Sequence, residues 1–409
     1  MPDTTPTYAE LSARLSARFR PVFDRIAVDS ARRDHERELA HDAIGWLREA
    51  GFGALRVPVV HGGLGASVEQ LFDLLIELGE ADSNLPQALR SHFGFVERLY
   101  AEVDPSRHAP WLRKIAEGAI FGNATTERGD HALGKLGTTL RRHDGAWRLD
   151  GEKFYSTGTL YADWIQVTAS REGPVPENHQ TFVVVSARAG GVTCLDDWAG
   201  FGQRLSASGT TRFDNVRVED DQVFSYSRAV PTPMTAVFQL THLATLAGIA
   251  RAIVRDAVAF VRPRKRVFSH GAGAVPADDP LVQQVVGELS AAAFAATAAV
   301  RAVARTLGEA DRIRVRDGRL PVDLLNQVEL ETAQAQVSVV PAVLHAATRL
   351  FDVGGASALL EDRRLDRHWR NARTLASHNP VIYKARVLGD HAINGTAPTF
   401  YWSVGAKAA

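Results

Sequence analysis

Cysteine and methionine are scarce in this chain of 409 residues, which has one cysteine, Cys194, and two methionines. A single cysteine forms no intramolecular disulfide and supplies no multi-thiolate metal site, so disulfide scaffolds and cysteine-based metal clusters are excluded. The sequence contains no metal-binding motif. The low cysteine content is typical of a reducing compartment, and we expect the protein to act in the cytoplasm.

An excess of charge of either sign is also lacking, because 47 Lys and Arg residues balance 47 Asp and Glu residues. A neutral chain has no bulk charge with which to bind nucleic acid or an anionic membrane surface, so neither partner is expected. The most apolar stretch, residues 289–300, is shorter than the roughly 20 residues that span a bilayer. The first 20 residues have no apolar core of the signal-peptide type.

The first two of three zones in the chain differ in their hydrophobic pattern. Residues 1–118 have apolar side chains at helical spacing, which predicts an N-terminal helical domain. Residues 119–223 contain short β-rich runs, and the Asp-Gly pairs at 144–145 and 150–151 are turn signals between such runs. This second zone is therefore expected to be a small β barrel or sandwich.

The third zone, residues 224–409, is helical again. Long helix candidates cover residues 241–261, 280–307 and 321–351, and the last two begin at prolines, which are favoured at helix starts. Consecutive long apolar faces predict a helical bundle with oligomer contacts. The three zones together predict an α+β fold class.

Five local strings follow one another over nearly the whole chain. They are VPVVHGGLG at 57–65, FGNATTERG at 121–129, DGEKFYSTGTLYADWIQV at 150–167, FDNVRV at 213–218 and LFDVGGASALLEDRRLDRHWRNAR at 350–373. In this order they resemble the acyl-CoA dehydrogenase superfamily. The resemblance implies its three-part architecture, in which the middle β domain contacts a flavin.

The catalytic base of a dehydrogenase is missing from both regions where the resemblance implies it. An acyl-CoA dehydrogenase needs an unprotonated carboxylate to remove the α-proton of a thioester. Residues 374–380 read TLASHNP, and the helix expected over 235–249 has no acid. Dehydrogenation is therefore disfavoured, and a dehydrogenase or oxidase with a displaced base stays the second hypothesis. The third is a non-catalytic descendant that binds a ligand.

Four further motifs resemble another branch of the superfamily, the two-component flavin monooxygenases related to dibenzothiophene monooxygenase and the sulfur-acquisition oxidoreductases. They are SHFG at 91–94, GNA at 122–124, YSTG at 155–158 and RNARTLASHNP at 370–380. The resemblance implies a homotetramer that receives reduced FMN from a separate NAD(P)H:flavin reductase, with FAD as the alternative flavin. It also implies that O2 forms a C4a-hydroperoxyflavin, which oxygenates sulfur, nitrogen or aromatic carbon of a small molecule.

The same resemblance implies five catalytic residues. His378 would protonate or hydrogen-bond the peroxide, since an imidazole has an ordinary pKa near 6.5. His92 would assist peroxide formation or substrate placement. Asn123, Ser156 and Thr157 would present amide and hydroxyl groups to the flavin edge or the peroxide, with Thr157 in the better register. Structural alternatives stay open: a helix-capping His378, a satisfied buried His92, a turn-forming Asn123 and strand-end hydroxyls.

Flavin-binding residues are implied in several places. Arg264 or Arg266 would reach the phosphate, because a guanidinium is well matched to phosphate oxygens, although a solvated basic turn is the alternative. Plain helix-end packing is the alternative for the stretch around Arg370. The full set of implied cofactor contacts is Asn123, Thr126, Thr157, Arg264, Arg266, Gly354, Gly355, Arg370 and His378. A substrate pocket could be lined by Tyr161, Trp164 and Phe238, although aromatic residues in such positions are more often part of the core.

Overall fold

The computed structural model describes residues 7–101, 105–129, 134–403 and 405. Helices, an eight-stranded sheet and further helices follow one another along the chain, as the sequence predicts, and the α+β fold class is confirmed. The N-terminal helices are α1 (Tyr8–Glu36), α2 (His41–Glu49), α3 (Val68–Ala81), α4 (Asn84–Ala101) and α5 (Pro105–Ala116).

Local signals explain where these helices begin. Thr7 and Glu10 form a capping box at the start of α1, and Ser67 and Gln70 form one at the start of α3. A capping box satisfies backbone N–H groups that have no partner inside the helix. The buried face of α1 carries Leu15, Phe19, Phe23 and Ile26 at the predicted helical spacing.

The strands of the sheet are β1 (Phe121–Ala124), β2 (Thr139–His143), β3 (Ala146–Lys153), β4 (Trp164–Arg171), β5 (His179–Ser186), β6 (Val192–Cys194), β7 (Thr211–Val218) and β8 (Val223–Ser227). The sheet runs in the order β6-β7-β3-β2-β4-β5-β8, and β1 pairs with β4 in parallel. Only the β1–β4 and β2–β4 pairings are parallel among the strands that the structure describes, and the other neighbours are antiparallel.

The two Asp-Gly pairs behave differently. Asp144 and Gly145 have φ angles of 48° and 77° and connect β2 to β3 as a tight hairpin turn, as predicted. The turn predicted at Asp150-Gly151 is wrong, because both residues lie inside β3 at a bulge opposite β7. A Cβ on Gly151 would lie 2.6 Å from Thr138, so this glycine permits a close approach of two backbones rather than a chain reversal.

The boundary predicted at residue 223 is also a few residues early. The strand β8 pairs with β5, so the sheet continues to its last residue. The C-terminal helices follow: α6 (Met234–Val261), α7 (Pro280–Asp317), α8 (Val322–Arg349), α9 (Asp366–Ala376) and α10 (Ile382–Asn394). The helix α7 begins where the Asp279 side chain accepts from the Leu281 N–H at 2.9 Å, and it ends at Gly318.

Two of these helices, α6 and α7, are long and apolar enough to cross a membrane by length and composition alone. The apolar window of α6 is 83% buried between other helices, which explains its composition as that of a core helix. The corresponding window of α7 is 28% buried, and the sequence predicts oligomer contacts for such open helical faces.

The helix α4 lies between the sheet and α6, and this placement creates the candidate site. A Cβ on Gly94 would lie 2.1 Å from the ring of Phe238, so glycine lets α4 approach α6. On the other side of α4, a Cβ on Gly158 would lie 2.4 Å from the carbonyl oxygen of Ala88. Small residues at these two contacts allow both the sheet and α6 to pack closely against α4.

Candidate functional site

Three helical elements meet around His378, which follows α9 in the turn before α10. The Nε2 atom of His378 lies 3.4 Å from an Nη atom of Arg90, which belongs to α4. The ring centroid of His378 lies 4.3 Å from that of His242, which belongs to α6. His378 is solvent-accessible on the side that Arg90 and His242 leave open.

The three nitrogen-containing side chains have no acid beside them in the described part of the chain. Burial lowers the pKa of Arg90 to about 10, which leaves it charged at neutral pH. Burial first, and then the neighbouring His378 and Arg90, lower the pKa of His242. Burial and Arg90 likewise lower the pKa of His378. The cluster therefore combines one guanidinium cation with two neutral imidazoles at pH 7.

Several buried polar atoms of this cluster and of its chain neighbours have no hydrogen-bond partner in the described part of the chain. They are Arg90 Nε, His242 Nε2, Asn379 Nδ2 and Ser91 Oγ. An unsatisfied buried polar group costs about 1–3 kcal/mol, so most such groups in native proteins are paired. Two of them, Arg90 Nε and His242 Nε2, belong to the cluster around His378, where a polar ligand could supply their partners.

One of the three aromatic residues predicted to line a pocket is in the site. The guanidinium of Arg90 lies over the ring of Phe238 at 5.1 Å from its centroid. Tyr161 is instead a core residue whose hydroxyl donates to the Leu205 carbonyl at 2.7 Å. Trp164 packs against the ring of Trp111, with centroids 5.1 Å apart. The pocket role is therefore not supported for Tyr161 and Trp164.

A second group of predicted site residues belongs to the β domain, on the sheet side of α4, and its side chains are hydroxyl groups. The Thr157 hydroxyl lies 3.0 Å from that of Ser208, which lies 2.8 Å from that of Ser206. Ser206 donates to the Gln203 carbonyl at 2.7 Å, which ends the chain of hydrogen bonds. Ser156 next to Thr157 is fully buried, and its Oγ has no partner in the described part of the chain.

The end of β1 joins this second group of residues. The Asn123 N–H donates to the Thr157 carbonyl at 3.1 Å, and the Thr125 hydroxyl donates to the Asn123 side-chain oxygen at 2.7 Å. Thr126 is half-buried on the same segment, and its carbonyl accepts from the Phe154 N–H at 2.8 Å. The structure thus brings Asn123, Thr126 and Thr157 into one region, and their contacts with a flavin stay predictions.

His92 is held by backbone groups on both sides of its ring. Its Nε2 donates to the Gly53 carbonyl at 2.8 Å, and its Nδ1 accepts from the Phe121 N–H at 3.2 Å. The residue is fully buried, and burial lowers its pKa to about 4. Both nitrogens are therefore occupied in this structure. The geometry favours a neutral residue that fixes β1 against α4 over a group that touches the reacting atoms.

The predicted phosphate-binding residues lie in a different place from His378. Arg264 donates to the Val353 carbonyl at 3.4 Å, and a Cβ on Gly354 would lie 2.6 Å from its guanidinium. The structure therefore brings Arg264 and Gly354 together, while Arg266 and Gly355 are exposed nearby in the chain. A phosphate contact stays a prediction for Arg264 or Arg266, and a cofactor contact stays one for Gly354 and Gly355.

Arg370 is occupied by protein groups. Its Nε lies 2.7 Å from Asp366, and its two Nη atoms contact the Phe201 carbonyl at 2.9 Å and Asp34 at 2.8 Å. The side chain thus ties α9 to α1 and to the loop before β7. This arrangement fits the helix-end packing alternative for Arg370 better than a cofactor contact.

Sequence reasoning missed Arg90, His242 and Ser208. Arg90 directly precedes the SHFG motif, and His242 is a polar residue in an apolar helix without acids. These two signals were present in the sequence. Their meeting at His378 depends on the packing of α4, α6 and the α9–α10 turn, which no local pattern reveals.

Comparisons with known proteins place this site in context. The profile of the acyl-CoA dehydrogenase middle domain matches residues 123–216, and that of the acyl-CoA dehydrogenase C-terminal domain matches residues 240–382. The chain is 28% identical over 366 residues to the probable FMNH2-dependent monooxygenase SfnC of Pseudomonas putida, covering 87% of this chain and 89% of that relative. It is 29% identical over 373 residues to dibenzothiophene monooxygenase of Mycolicibacterium goodii, covering 86% and 87%.

The fold is also that of a solved relative. FMN-bound TdsC from Paenibacillus sp. A11-2 superposes with a TM-score of 0.86 at 25% identity, covering 94% of this chain and 98% of TdsC. The two protein surfaces described above, one of hydroxyl groups and one of cationic and imidazole nitrogens, therefore occur in a fold that binds FMN in a relative.

Proposed function

Since the chain belongs to the acyl-CoA dehydrogenase superfamily, in its branch of FMN-dependent monooxygenases, we propose that oxygen transfer takes place beside His378. The protein is a flavin-dependent monooxygenase that uses reduced FMN and O2. The observation that carries the assignment of the site is the cluster of Arg90, His242 and His378, beside which the described residues place no carboxylate.

The residues present fit a bound flavin ring. Its polar edge carries nitrogen and carbonyl groups, which need donors and acceptors in a dry site. The buried and unpartnered Ser156 and Ser91 hydroxyls are such groups, and Asn123 and Thr157 lie beside Ser156 in the β domain. Reduced FMN supplies two electrons to O2, so that one oxygen atom enters the substrate and the other leaves as water.

His378 is proposed to hold or donate a proton at its Nδ1 atom, because its Nε2 faces the Arg90 guanidinium, which only donates. Negative charge develops on oxygen during the reaction, and a preorganised donor in a water-poor site stabilises such charge. Arg90 beside the ring adds a permanent positive charge at 3.4 Å. A glutamate at this position would oppose the same charge, which gives a physical reason for histidine in the loop where dehydrogenases carry their base.

Thr157 is proposed to orient the flavin rather than to transfer protons. Its hydroxyl is fixed by Ser208 and through it by Ser206, so its direction is set before any ligand arrives. Ser156 offers a second hydroxyl that has no competing partner in the described part of the chain. The Thr157 hydroxyl has a fixed direction and the Ser156 hydroxyl is open to the ligand. Together they would hold the flavin ring in the same position in each catalytic cycle.

The remaining features of the assembly are proposed from the relatives. Two relatives are named as dibenzothiophene monooxygenases, that of Mycolicibacterium goodii and TdsC, and we propose that sulfur is the oxygenated atom here as well. A separate reductase supplies reduced FMN, because two-component enzymes receive it in diffusible form. We further propose a homotetramer, with Arg264 or Arg266 near the FMN phosphate, and action in the cytoplasm.

Rapid-mixing absorbance spectroscopy tests this function. The purified protein is loaded anaerobically with reduced FMN and mixed with O2. We expect a long-lived absorbing species that differs from both reduced and oxidised FMN. Its lifetime should shorten by about 100-fold in His378→Gln, the scale of a lost general acid or hydrogen-bond donor.

The matched control is His345→Gln, which changes an exposed histidine on α8. It should leave the lifetime unchanged. An unchanged lifetime in His378→Gln would remove the proposed role of this histidine. Direct return to oxidised FMN, together with bleaching of the FMN-loaded protein by an acyl-CoA, would contradict the monooxygenase assignment.

A further inference from the structure

We propose that Arg90 binds the negatively charged group of the substrate, so that the molecule oxygenated at this site is a small organic anion. This inference rests on the proposed function, because it names the substrate class of the same site. It is carried by the charge of Arg90, by the open donors around it and by its position on the helical side of the site.

Arg90 differs from the other buried arginines in the described part of the chain. Arg33 pairs with Asp82 at 3.3 Å, Arg56 pairs with Glu97 at 2.6 Å, and Arg367 pairs with Asp256. Arg90 is equally buried, at 8% exposed, and no carboxylate lies beside it. A buried cation without a counter-charge is unfavourable, so its retention is explained by a ligand that supplies the negative charge.

Two imidazole side chains lie close to Arg90, those of His378 and His242. The Nε of Arg90 and the Nε2 of His242 are both buried without a partner in the described part of the chain. A guanidinium presents its N–H groups in a fork that matches two oxygens of a carboxylate, sulfinate or sulfonate. The neutral imidazole of His242 can add a further hydrogen bond to the same oxyanion.

The position of Arg90 favours the substrate over the flavin as the source of this anion. Arg90 lies on the side of α4 that faces Phe238 of α6, whereas the predicted flavin contacts Asn123 and Thr157 lie on the β-domain side. That second side offers neutral amide and hydroxyl groups. A ligand at Arg90 would rest its apolar part on Phe238 and hold its charged end at the guanidinium.

Binding of a matched pair of non-reacting probes tests the inference. Methanesulfonate is an anion, and dimethyl sulfone is its neutral counterpart of nearly the same shape. Both are titrated into the flavin-free, full-length protein by ligand-observed NMR. We expect methanesulfonate to bind at least about tenfold more tightly than dimethyl sulfone, a difference typical of a charge-assisted hydrogen bond.

Arg90→Gln should abolish this preference, and Arg90→Lys should retain part of it. Arg98→Gln is the matched control, because Arg98 belongs to the same helix and also lies over an aromatic ring, that of Phe182 at 4.8 Å. Equal affinity of the wild type for the two probes would overturn the proposal. Unchanged methanesulfonate affinity in a folded Arg90→Gln protein would overturn it as well.

The failure of this inference is distinguishable from failure of the proposed function. A wild-type protein that forms the long-lived species with reduced FMN and O2 but does not prefer methanesulfonate remains a monooxygenase, with another substrate class. If Arg90→Gln instead weakens FMN binding and leaves methanesulfonate binding unchanged, the guanidinium serves the flavin and the substrate assignment is wrong.

Discussion

Two buried cations, one in the β domain and one on α4, have different surroundings. Lys153 at the end of β3 is fully buried, and its Nζ donates to Glu127 at 2.6 Å and to the Thr125 carbonyl at 3.2 Å. Arg90 on α4 is buried to a similar degree and has two histidines and a phenylalanine ring around it. One cation is neutralised by the fold, and the other is not.

This difference separates residues that hold the structure from residues that serve a ligand. Lys153 is satisfied by its ion pair with Glu127 and by a backbone carbonyl. Arg90 has no carboxylate beside it among the described residues. We therefore expect substitution of Lys153 to reduce stability, and substitution of Arg90 to change ligand binding with little loss of stability.

The largest expected effect on stability follows substitution of Lys153. Lys153→Met removes the cation of a buried ion pair, which typically costs about 3–5 kcal/mol. We expect a large drop in the melting temperature, measured by calorimetry. Arg212→Gln is the control, because it breaks the exposed Arg212–Glu152 pair and should cost at most about 1 kcal/mol. Equal effects of the two substitutions would contradict a structural role of the buried pair.

Acid should weaken the same pair. Burial alone would raise the pKa of Glu127, but hydrogen bonds from Lys153 and from the Gly137 and Thr138 amides lower it to about 2. A depressed carboxyl pKa contributes stability that is present above the ordinary value near 4.5 and is lost as pH falls toward 2. The melting temperature of Lys153→Met should therefore depend less on pH in this window than that of the wild type. Parallel pH profiles would refute the linkage.

His92 is expected to affect stability more than oxygen chemistry. His92→Leu leaves the Gly53 carbonyl and the Phe121 N–H without their partners, at a cost of about 2–4 kcal/mol for the two groups. At a temperature where the variant is folded, the lifetime of the species formed from reduced FMN and O2 should change less than tenfold. A loss as large as in His378→Gln, without a drop in melting temperature, would restore the catalytic role predicted from the sequence.

The smallest effect is expected at the hydroxyl chain. Thr157→Val keeps the shape of the side chain and removes one neutral hydrogen bond to Ser208, which contributes about 1 kcal/mol. The affinity for FMN, measured by fluorescence titration, should fall by about fivefold or more if the hydroxyl also orients the ring. Ser186→Ala, at the end of β5, changes a hydroxyl away from the Thr157–Ser208 chain and should leave FMN affinity unchanged.

Much of the fold could be predicted because it depends on local patterns. Helical spacing and capping residues locate α1 and α3, and the Asp-Gly pair at 144–145 forms the expected hairpin turn. The identical pair at 150–151 lies within a strand, because the pairing of β3 with β7 decides its conformation. In this protein the Asp-Gly pair between two strands forms a turn, whereas the pair in the segment that also pairs with β7 lies inside a strand.

The candidate site could be predicted only in part, for a related reason. The motif match points to His378, which lies beside Arg90 and His242, and to His92, whose two nitrogens are bound by Gly53 and Phe121. No local pattern shows that a histidine will meet backbone groups from distant segments. No local pattern singles out Arg90 and His242. What distinguishes them is that the described residues place no carboxylate beside them, and this depends on how α4, α6 and the α9–α10 turn pack together.

The most direct test of the distinction between the two cations is the melting temperature of Arg90→Met, with and without methanesulfonate at matched ionic strength. If Arg90 serves a ligand, the variant without the anion is at least as stable as the wild type, because a buried charge without a partner has been removed. Methanesulfonate then stabilises the wild type and not the variant. A loss in Arg90→Met comparable to that in Lys153→Met, with no effect of the anion on the wild type, would show that Arg90 is part of the fold and contradict this account.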